Sequence, residues 1–144
     1  MDNCAYNRPF DDQHQMRIFL EAQAKLQIQR LIADNRLVLA CSYMSLFENK
    51  DNPHEERYLS IADFFKHASL FVNYDKAEKV EIKAAEIMDC RIKHKDAIHI
   101  ACAIEAACDY FITTDDELGK RYTGNEIIIC GPVNFVKVLE ALDE

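Results

Sequence analysis

The stretch "KDAIHIACAIEAACDYFITTDDEL" (residues 95–118) decides the fold. From Asp96 to Cys108 it is apolar almost all round, which is typical of a helix that is buried on several sides. The run "YFITT" that follows is rich in aromatic and β-branched residues and predicts a strand. An acid therefore begins the helix, and a second acid, Asp115, stands where the strand ends.

Length and composition indicate one globular domain over residues 1–144. Apolar residues make up 49% of the chain and charged residues 29%, with only three Gly and three Pro, which excludes a disordered or fibrous protein. No apolar run approaches the roughly 20 residues that cross a bilayer, and the first residues lack a secretion signal. We therefore expect a cytoplasmic protein with no membrane partner.

The cysteines are spaced irregularly, with no C-x-x-C pair and no His at a zinc-finger offset. Most lie in apolar runs, which favours reduced thiols in the core of a cytosolic protein. The six are Cys4, Cys41, Cys90, Cys102, Cys108 and Cys130.

Helical and strand patterns alternate on both sides of the opening stretch. Asp11 and Asp12 can cap a long helix, Ser42 can cap the helix that carries Glu48, and Pro53 can open the next. The apolar runs "RLVLACS", "SLFVNY" and "EIIIC" predict further strands. Helices that alternate with apolar strands imply parallel βαβ units and a three-layer α/β/α sandwich.

Acids from separate segments could meet at one edge of such a sheet. Asp115 ends a strand, Asp96 begins the buried helix, and Glu48 lies on the helix after an earlier strand; Asp2 would join them if a strand preceded it. Two carboxylates about 4 Å apart repel by roughly 4 kcal/mol at an effective dielectric near 20. Such a cluster makes sense around Mg²⁺ or Mn²⁺, which bind oxygen ligands and can activate water at a phosphodiester.

The same stretch resembles the second half of the PIN-domain nucleases, which include the VapC-like toxins. In that family an Asp opens a helix and another follows the next strand in a T-T-D-x-x-L motif. "DNCAYNRPFDDQ" resembles the family's first acidic loop and "SLFEN" its helix-borne glutamate. The likeness runs in order along the whole chain.

This resemblance implies a central, mostly parallel sheet of about five strands flanked by helices, with the first central strand short or missing. It implies metal-dependent RNA cleavage and, as in many members, a toxin neutralised by a small antitoxin protein; a homodimer is possible. The implied catalytic and metal-binding acids are Asp2, Glu48, Asp96 and Asp115, with Asp116 as a possible fifth and with Asn3 and Thr114 as supporting polar residues.

Each of these residues also has an ordinary structural interpretation. Asp2 could be a disordered terminal residue, and Glu48 a solvated acid on a helix. Asp96 and Asp115 could be N-caps that contribute about 1 kcal/mol each. Asp116 suits the first turn of a helix, where the macrodipole favours acids. His99, one turn after Asp96, is more often a core histidine than a metal ligand.

The net charge of −8 argues against nucleic-acid binding, because such binding depends on neutralising phosphates. Basic residues do lie beside the predicted site, however, and they form either a solvated charge run or a clamp for RNA phosphates. The residues in question are Arg8, Arg91, Lys93 and Lys95.

Three functions remain open at this point. The first is an Mg²⁺- or Mn²⁺-dependent endoribonuclease that acts, as the resemblance implies, as the toxin of a toxin–antitoxin pair. The second is a non-catalytic PIN-like module that binds RNA or a protein and is inactive because of a short N-terminus. The third is a receiver-like phosphoacceptor, which would need a Lys at a strand end that this sequence lacks.

The resemblance also predicts a strand of about five apolar residues before Asp2 in the complete protein. It places this strand in the centre of the sheet, where its absence leaves backbone groups on both neighbours without partners, at about 1 to 3 kcal/mol each. We expect the chain to compensate by drawing "NCAY" into the slot, by borrowing a segment, or by admitting water. Asp2 is accordingly the least securely placed of the four acids.

Overall fold

The structure is a computed structural model that describes residues 1–11 and 13–143, and for residues 3 and 4 the backbone alone. Asp12, one of the two predicted helix caps, and the side chain of Asn3 lie outside the described part. Most described residues are helical. The helices are α1 (Asn3–Asn7), α2 (Met16–Ala33), α3 (Tyr43–Lys50), α4 (Glu55–Phe64), α5 (Ala77–Met88), α6 (His94–Glu105), α7 (Asp116–Arg121) and α8 (Pro132–Leu142).

The strands are short and form two separate sheets. β1 (Ala40–Ser42) pairs in parallel with β2 (Leu70–Val72), with Ala40 opposite Leu70. β3 (Tyr110–Ile112) pairs in parallel with β4 (Ile128–Cys130), with Tyr110 opposite Ile128. The predicted three-layer α/β/α sandwich with a central sheet of about five strands is therefore wrong.

The sheets stay apart because no described strand lies between β1 and β3. Each predicted apolar run contributes only three strand residues, and β1 and β3 instead line a shared cavity of about 430 Å³. The residues of "NCAY" belong to α1 and do not enter this cavity as a strand. At one end of the cavity the amide of Asp2 donates a hydrogen bond to the carbonyl of Ile112 at 3.0 Å.

The larger apolar cluster surrounds α6. The residues from Ala97 to Cys102 are all buried, which confirms the prediction of a helix buried on several sides. Small residues at the contact between α5 and α6, such as Ala84 and Ala97, let the two helices approach closely. The cluster also contains Val72, Val80, Ile87, Ile92, Ile98, Ile100, Ala101, Phe111, Leu118 and Ile127.

A second cluster joins α2 and α8 to the two sheets. Ile28 and Ile32 of α2 and Phe135 of α8 pack with Cys41 of β1 and Ile112 of β3. In the described part of the chain, the two sheets are thus held together through helices, since no backbone hydrogen bond joins them directly. No helix in the described ranges is both long enough and apolar enough to cross a membrane.

The helix starts agree with the sequence where a local cap is present. The hydroxyl of Ser42 accepts a hydrogen bond from the amide of Ser45 at 3.2 Å, which confirms the predicted cap of α3. The cap assigned to Asp11 is wrong: α2 begins at Met16 without a side-chain cap, and Asp11 pairs with Arg8 at 3.1 Å. The Asp11 carboxylate is therefore used in the ion pair with Arg8 and does not cap α2.

Ala84→Leu should destabilise the protein by about 1 to 3 kcal/mol, because the larger side chain overpacks the contact between α5 and α6. Denaturant unfolding followed by circular dichroism measures the change. Ala141→Leu, at an exposed position of α8, is the matched control and should shift the unfolding free energy by less than about 0.5 kcal/mol. Equal effects of the two substitutions would contradict the close approach of α5 and α6.

Candidate functional site

The predicted acids come from four different elements. Asp2 precedes α1, Glu48 lies on α3, Asp96 lies in the first turn of α6, and Asp115 follows β3. The helix α6 connects them, because it contacts α3 as well as both β1 and β3. The side chains of Glu48, Asp96 and Asp115 come close enough for their charges to act on one another.

Asp2 is a buried anchor of the chain. One carboxylate oxygen accepts a hydrogen bond from the amide of Ala5 at 3.1 Å, and the other accepts one from the hydroxyl of Thr113. Burial raises the pKa of Asp2, and these two hydrogen bonds oppose that effect. Because both oxygens have protein partners, Asp2 serves as the N-cap of α1 and ties it to the end of β3.

Thr113 is the polar residue that the sequence did not single out. Its hydroxyl donates to Asp2 and accepts a hydrogen bond from the amide of Asp115 at 3.1 Å. The predicted supporting residue, Thr114, is also buried, and its carbonyl accepts a hydrogen bond from Arg17 at 3.1 Å. A Thr hydroxyl often accepts a hydrogen bond from the backbone amide two residues later in a turn. This pattern could have identified Thr113 as the partner of the Asp115 amide.

Glu48 faces His99 of α6. Nε2 of His99 lies 3.0 Å from Oε2 of Glu48, and the two side chains are 4% and 15% exposed. This nitrogen has no hydrogen-bond partner of standard geometry among the described residues, and the two groups form an ion pair only when the imidazole is protonated. Burial favours a higher pKa for Glu48, but His99 and Lys95 outweigh it and the pKa is lowered.

Asp96 lies among carboxylates as well as basic groups. Burial raises the pKa of Asp96, the nearby carboxylates of Asp115 and Glu48 raise it further, and His99 and Lys93 act in the opposite sense. Like charges held close together in partly buried surroundings favour the protonated acid or a bound cation. Asp96 is therefore the acid whose surroundings best match a cation site.

Asp115 and Asp116 also have local structural roles. The carboxylate of Asp115 accepts a hydrogen bond from the amide of Glu117 at 3.0 Å and caps α7, as its ordinary interpretation predicts. Asp116 is exposed and forms an ion pair with Arg17 at 2.9 Å. An exposed N-cap can still offer its second oxygen to a ligand, so Asp115 remains available beside Asp96.

The basic residues predicted to contact phosphates lie in different settings. Arg8 binds Asp11 at 3.1 Å and Glu21 at 3.2 Å, so its charge is already balanced. The carbonyl of Arg91 accepts a hydrogen bond from Arg121 at 3.0 Å. Lys93 and Lys95 are exposed at the start of α6, beside the acids. Their use in binding RNA remains a prediction.

Arg17 was missed by the sequence reasoning. It bridges Glu21 at 3.3 Å and Asp116 at 2.9 Å, and with Arg8 it lines an open pocket that also contains Asp115. Its spacing from Glu21 is that of a helical ion pair, but no local signal links it to Asp116, which is almost a hundred residues away. The pocket places two guanidinium groups next to an acid of the site.

The carboxylate oxygens of these acids are ligands of the kind that a hard cation such as Mg²⁺ prefers. In the described part of the chain, however, they are not arranged as a complete metal-binding site. Among residues 1–11 and 13–143, no group of three or more His, Cys, Asp or Glu side chains is arranged to hold a metal ion. Mg²⁺ is commonly bound by one or two carboxylates together with waters and substrate phosphates, so it does not require such a cage. Glu48, Asp96 and Asp115 have the oxygen ligands and the excess negative charge that this mode of binding needs.

Comparison with protein-family models, with curated proteins and with solved structures found no match to this chain. The likeness to PIN-domain nucleases therefore stays a prediction that rests on the quoted motifs. The properties of the site have to be argued from its own residues.

Thr113→Val should destabilise the protein by about 1 to 3 kcal/mol, because it removes the hydroxyl that serves both Asp2 and the Asp115 amide. The cost should be largest above the raised pKa of Asp2, where the carboxylate is ionised, and should shrink as the pH falls through that pKa and acid protonates it. Thr113→Ser keeps the hydroxyl and should cost less. Thermal unfolding at several pH values measures both, and a Thr113→Val variant as stable as its parent would contradict the bridging role.

Asp96→Asn should stabilise the folded protein at neutral pH by roughly 1 kcal/mol or less, because it removes a partly buried charge that its neighbours repel. The folded-state pKa of Asp96 is raised above the ordinary 3.8. The gain should therefore shrink as the pH falls through the raised pKa, and vanish below about 3.8. Asp89→Asn, at an exposed position, is the control; a gain that does not change with pH would contradict this account.

Proposed function

We propose that this chain is a divalent-metal-dependent endoribonuclease that hydrolyses RNA phosphodiester bonds with Mg²⁺ or Mn²⁺. The observation that carries the proposal is the approach of three carboxylates from α3, α6 and the end of β3, where Asp115 and Glu48 lie close enough to Asp96 to add to the effect of burial in raising its pKa. Perturbed acids that cluster at a surface site are candidates for function. The motifs that resemble PIN-domain nucleases support the same assignment.

In this proposal Glu48, Asp96 and Asp115 hold the cation. A bound Mg²⁺ or Mn²⁺ supplies an activated water and stabilises the charge on the leaving oxygen. His99 positions Glu48 through the 3.0 Å contact between their side chains. Asp2 positions the loop that follows β3 through its bond with Thr113, and we assign it a structural role in place of the metal contact that the sequence suggested.

Substrate binding in this proposal uses the basic residues around the acids. Arg17 and Arg8 line the open pocket beside Asp115, while Lys93 and Lys95 border Asp96 from the start of α6. A phosphate that binds here exchanges an arginine–carboxylate contact for an arginine–phosphate contact, which fixes the position of the RNA without reading its sequence. An acidic protein can in this way bind a polyanion.

The cellular setting is also proposed. The described cysteines Cys41, Cys90, Cys102, Cys108 and Cys130 are free thiols, as expected in a reducing compartment such as the cytoplasm. The role of a toxin held in check by an antitoxin protein, and the formation of a homodimer, rest on the resemblance alone.

A non-catalytic module that binds RNA or a protein is the second candidate. Two observations favour it: both carboxylate oxygens of Asp2 are bound by the protein, and the described residues contain no ready-made metal cage. Such a module would bind its partner without cleavage and would not respond to divalent ions.

Single-turnover cleavage of an end-labelled RNA of mixed sequence should occur with Mg²⁺ or Mn²⁺ and stop with EDTA. Asp96→Asn should lower the rate by about 100-fold or more, since it removes a cation ligand, whereas the exposed control Asp89→Asn should keep it. Mn²⁺ should also raise the melting temperature of the parent, with about 2.7 kcal/mol expected at one hundred times Kd. Absence of both cleavage and a Mn²⁺ response would favour the non-catalytic module.

A further inference from the structure

The cavity between β1 and β3 is a concave site separate from the acids, since none of the three carboxylates proposed to hold the cation lines it. Its volume of about 430 Å³ falls in the range of about 300 to 1,000 Å³ that is usual for small-molecule sites. Exposed side chains such as Val38 and Leu142 mark its mouth, and buried ones such as Ile32 and Cys41 mark its inner end. A small molecule can therefore enter this space from solvent.

One side of the cavity is formed by an edge of β3. The amide of Thr113 donates a hydrogen bond to the carbonyl of Cys130 at 3.1 Å, toward β4. Because alternate residues of a parallel strand bond to the same neighbour, Tyr110 and Ile112 direct their backbone groups away from β4 and toward the cavity, which both residues line. The carbonyl of Ile112 accepts a hydrogen bond from the amide of Asp2 at 3.0 Å. The backbone groups of Tyr110 remain directed at the space.

An edge of β1 forms a second side. The carbonyl of Leu39 accepts hydrogen bonds from the amides of Ser69 at 3.0 Å and Leu70 at 3.4 Å, toward β2. Ala40 and Ser42 therefore direct their backbone groups toward the cavity, which they line. In the part of the chain that the structure describes, β1 pairs with β2 alone and β3 with β4 alone. Backbone donors and acceptors of both strands thus border one space.

The walls that come from helices are mostly apolar. Ile32 of α2 and Phe135 of α8 belong to the second apolar cluster, whereas Cys102 and Ala103 of α6 pack in the larger one, and all four residues line the cavity. Polar backbone groups therefore border the space along its strands, and apolar side chains border it along its helices. A ligand that matches both is flat, with hydrogen-bonding groups on its edge and apolar faces.

The backbone groups decide between two classes of ligand. A hydrocarbon chain that filled the cavity would leave the backbone groups of Ala40 and Tyr110 away from water without partners, which is unfavourable. A planar nitrogen heterocycle carries donors and acceptors on its edge and has faces that stack on apolar groups, as nucleic-acid bases do. At about 30 Å³ for each water molecule, the cavity holds roughly 14 groups of that size, which is enough for two fused rings.

We propose that the cavity binds a two-ring nitrogen heterocycle of the purine class. The amide of Tyr110 donates to a ring nitrogen and its carbonyl accepts from an adjacent N–H, and Ala40 pairs with the opposite edge in the same way. The faces of the rings lie against Phe135 and Ala103. This inference does not depend on the nuclease proposal, because it uses none of the acids and its test measures binding and not cleavage.

The test titrates the full chain with adenine, with indole as a two-ring control that has a single ring nitrogen, and with decanoate as a hydrocarbon chain. Saturating adenine should raise Tm by about 4 °C or more. It should slow amide exchange at Tyr110 and Ala40 by about tenfold or more, with a smaller change in α4, which does not line the cavity. Indole should bind about tenfold more weakly than adenine, because it cannot pair with both strand edges.

Two substitutions place the binding in this cavity. Ala103→Phe fills the space and should weaken adenine binding by about tenfold or more, whereas Ala85→Phe, at an exposed position of α5, should leave it unchanged. Ala103→Val is the smaller change and should weaken binding in the same sense if the Phe variant does not fold, as judged by circular dichroism. No adenine binding in the millimolar range would overturn the proposal. So would indole or decanoate binding as tightly as adenine, or adenine binding that Ala103→Phe and Ala103→Val leave intact.

Discussion

The burial of α6 on several sides is the constraint on which the rest of the structure depends. Its apolar surface packs against α5, and it also contacts β1 and β3 of the two separate sheets. Because Asp96 lies in its first turn and His99 one turn later, the packing of this helix sets the distance from both residues to Glu48. The apolar core and the polar site are thus positioned by one element, and a shift of α6 would disturb both.

The acids of the site divide into two kinds according to their partners. Asp2 has a hydrogen-bond donor for each oxygen and connects α1 to the end of β3, so its charge is used within the fold. Asp96 is partly buried and has Asp115 and Glu48 as neighbours of the same sign, and together these outweigh the opposing effect of His99 and Lys93, so its pKa is raised. Local partners therefore matter more than the net charge of −8 in judging what this protein can bind. A carboxylate whose charge the protein leaves unbalanced is the better candidate for a cation ligand.

Local patterns predicted the elements well, and distant pairing was predicted poorly. The buried helix from Asp96 and the cap at Ser42 could be read from the sequence because periodicity and capping involve neighbours a few residues apart. The sandwich was wrong because it assumed that β1 and β3 belong to one sheet, which no local pattern determines. Contacts such as that of Arg17 with Asp116 were missed for the same reason. At the candidate site, the sequence named the acids but not Thr113, whose hydroxyl joins two of them.

The cavity between β1 and β3 also affects how the protein responds to hydrostatic pressure. The space is lined mostly by apolar groups and is partly open to solvent, and unfolding eliminates whatever part of it water does not fill. Proteins commonly lose about 20 to 100 mL/mol on unfolding, in a way that scales with their internal voids. The dry part of this space of about 430 Å³ adds to the volume of the folded protein. Compression therefore favours the unfolded chain, and a larger side chain that filled the dry part would make the protein more resistant to pressure.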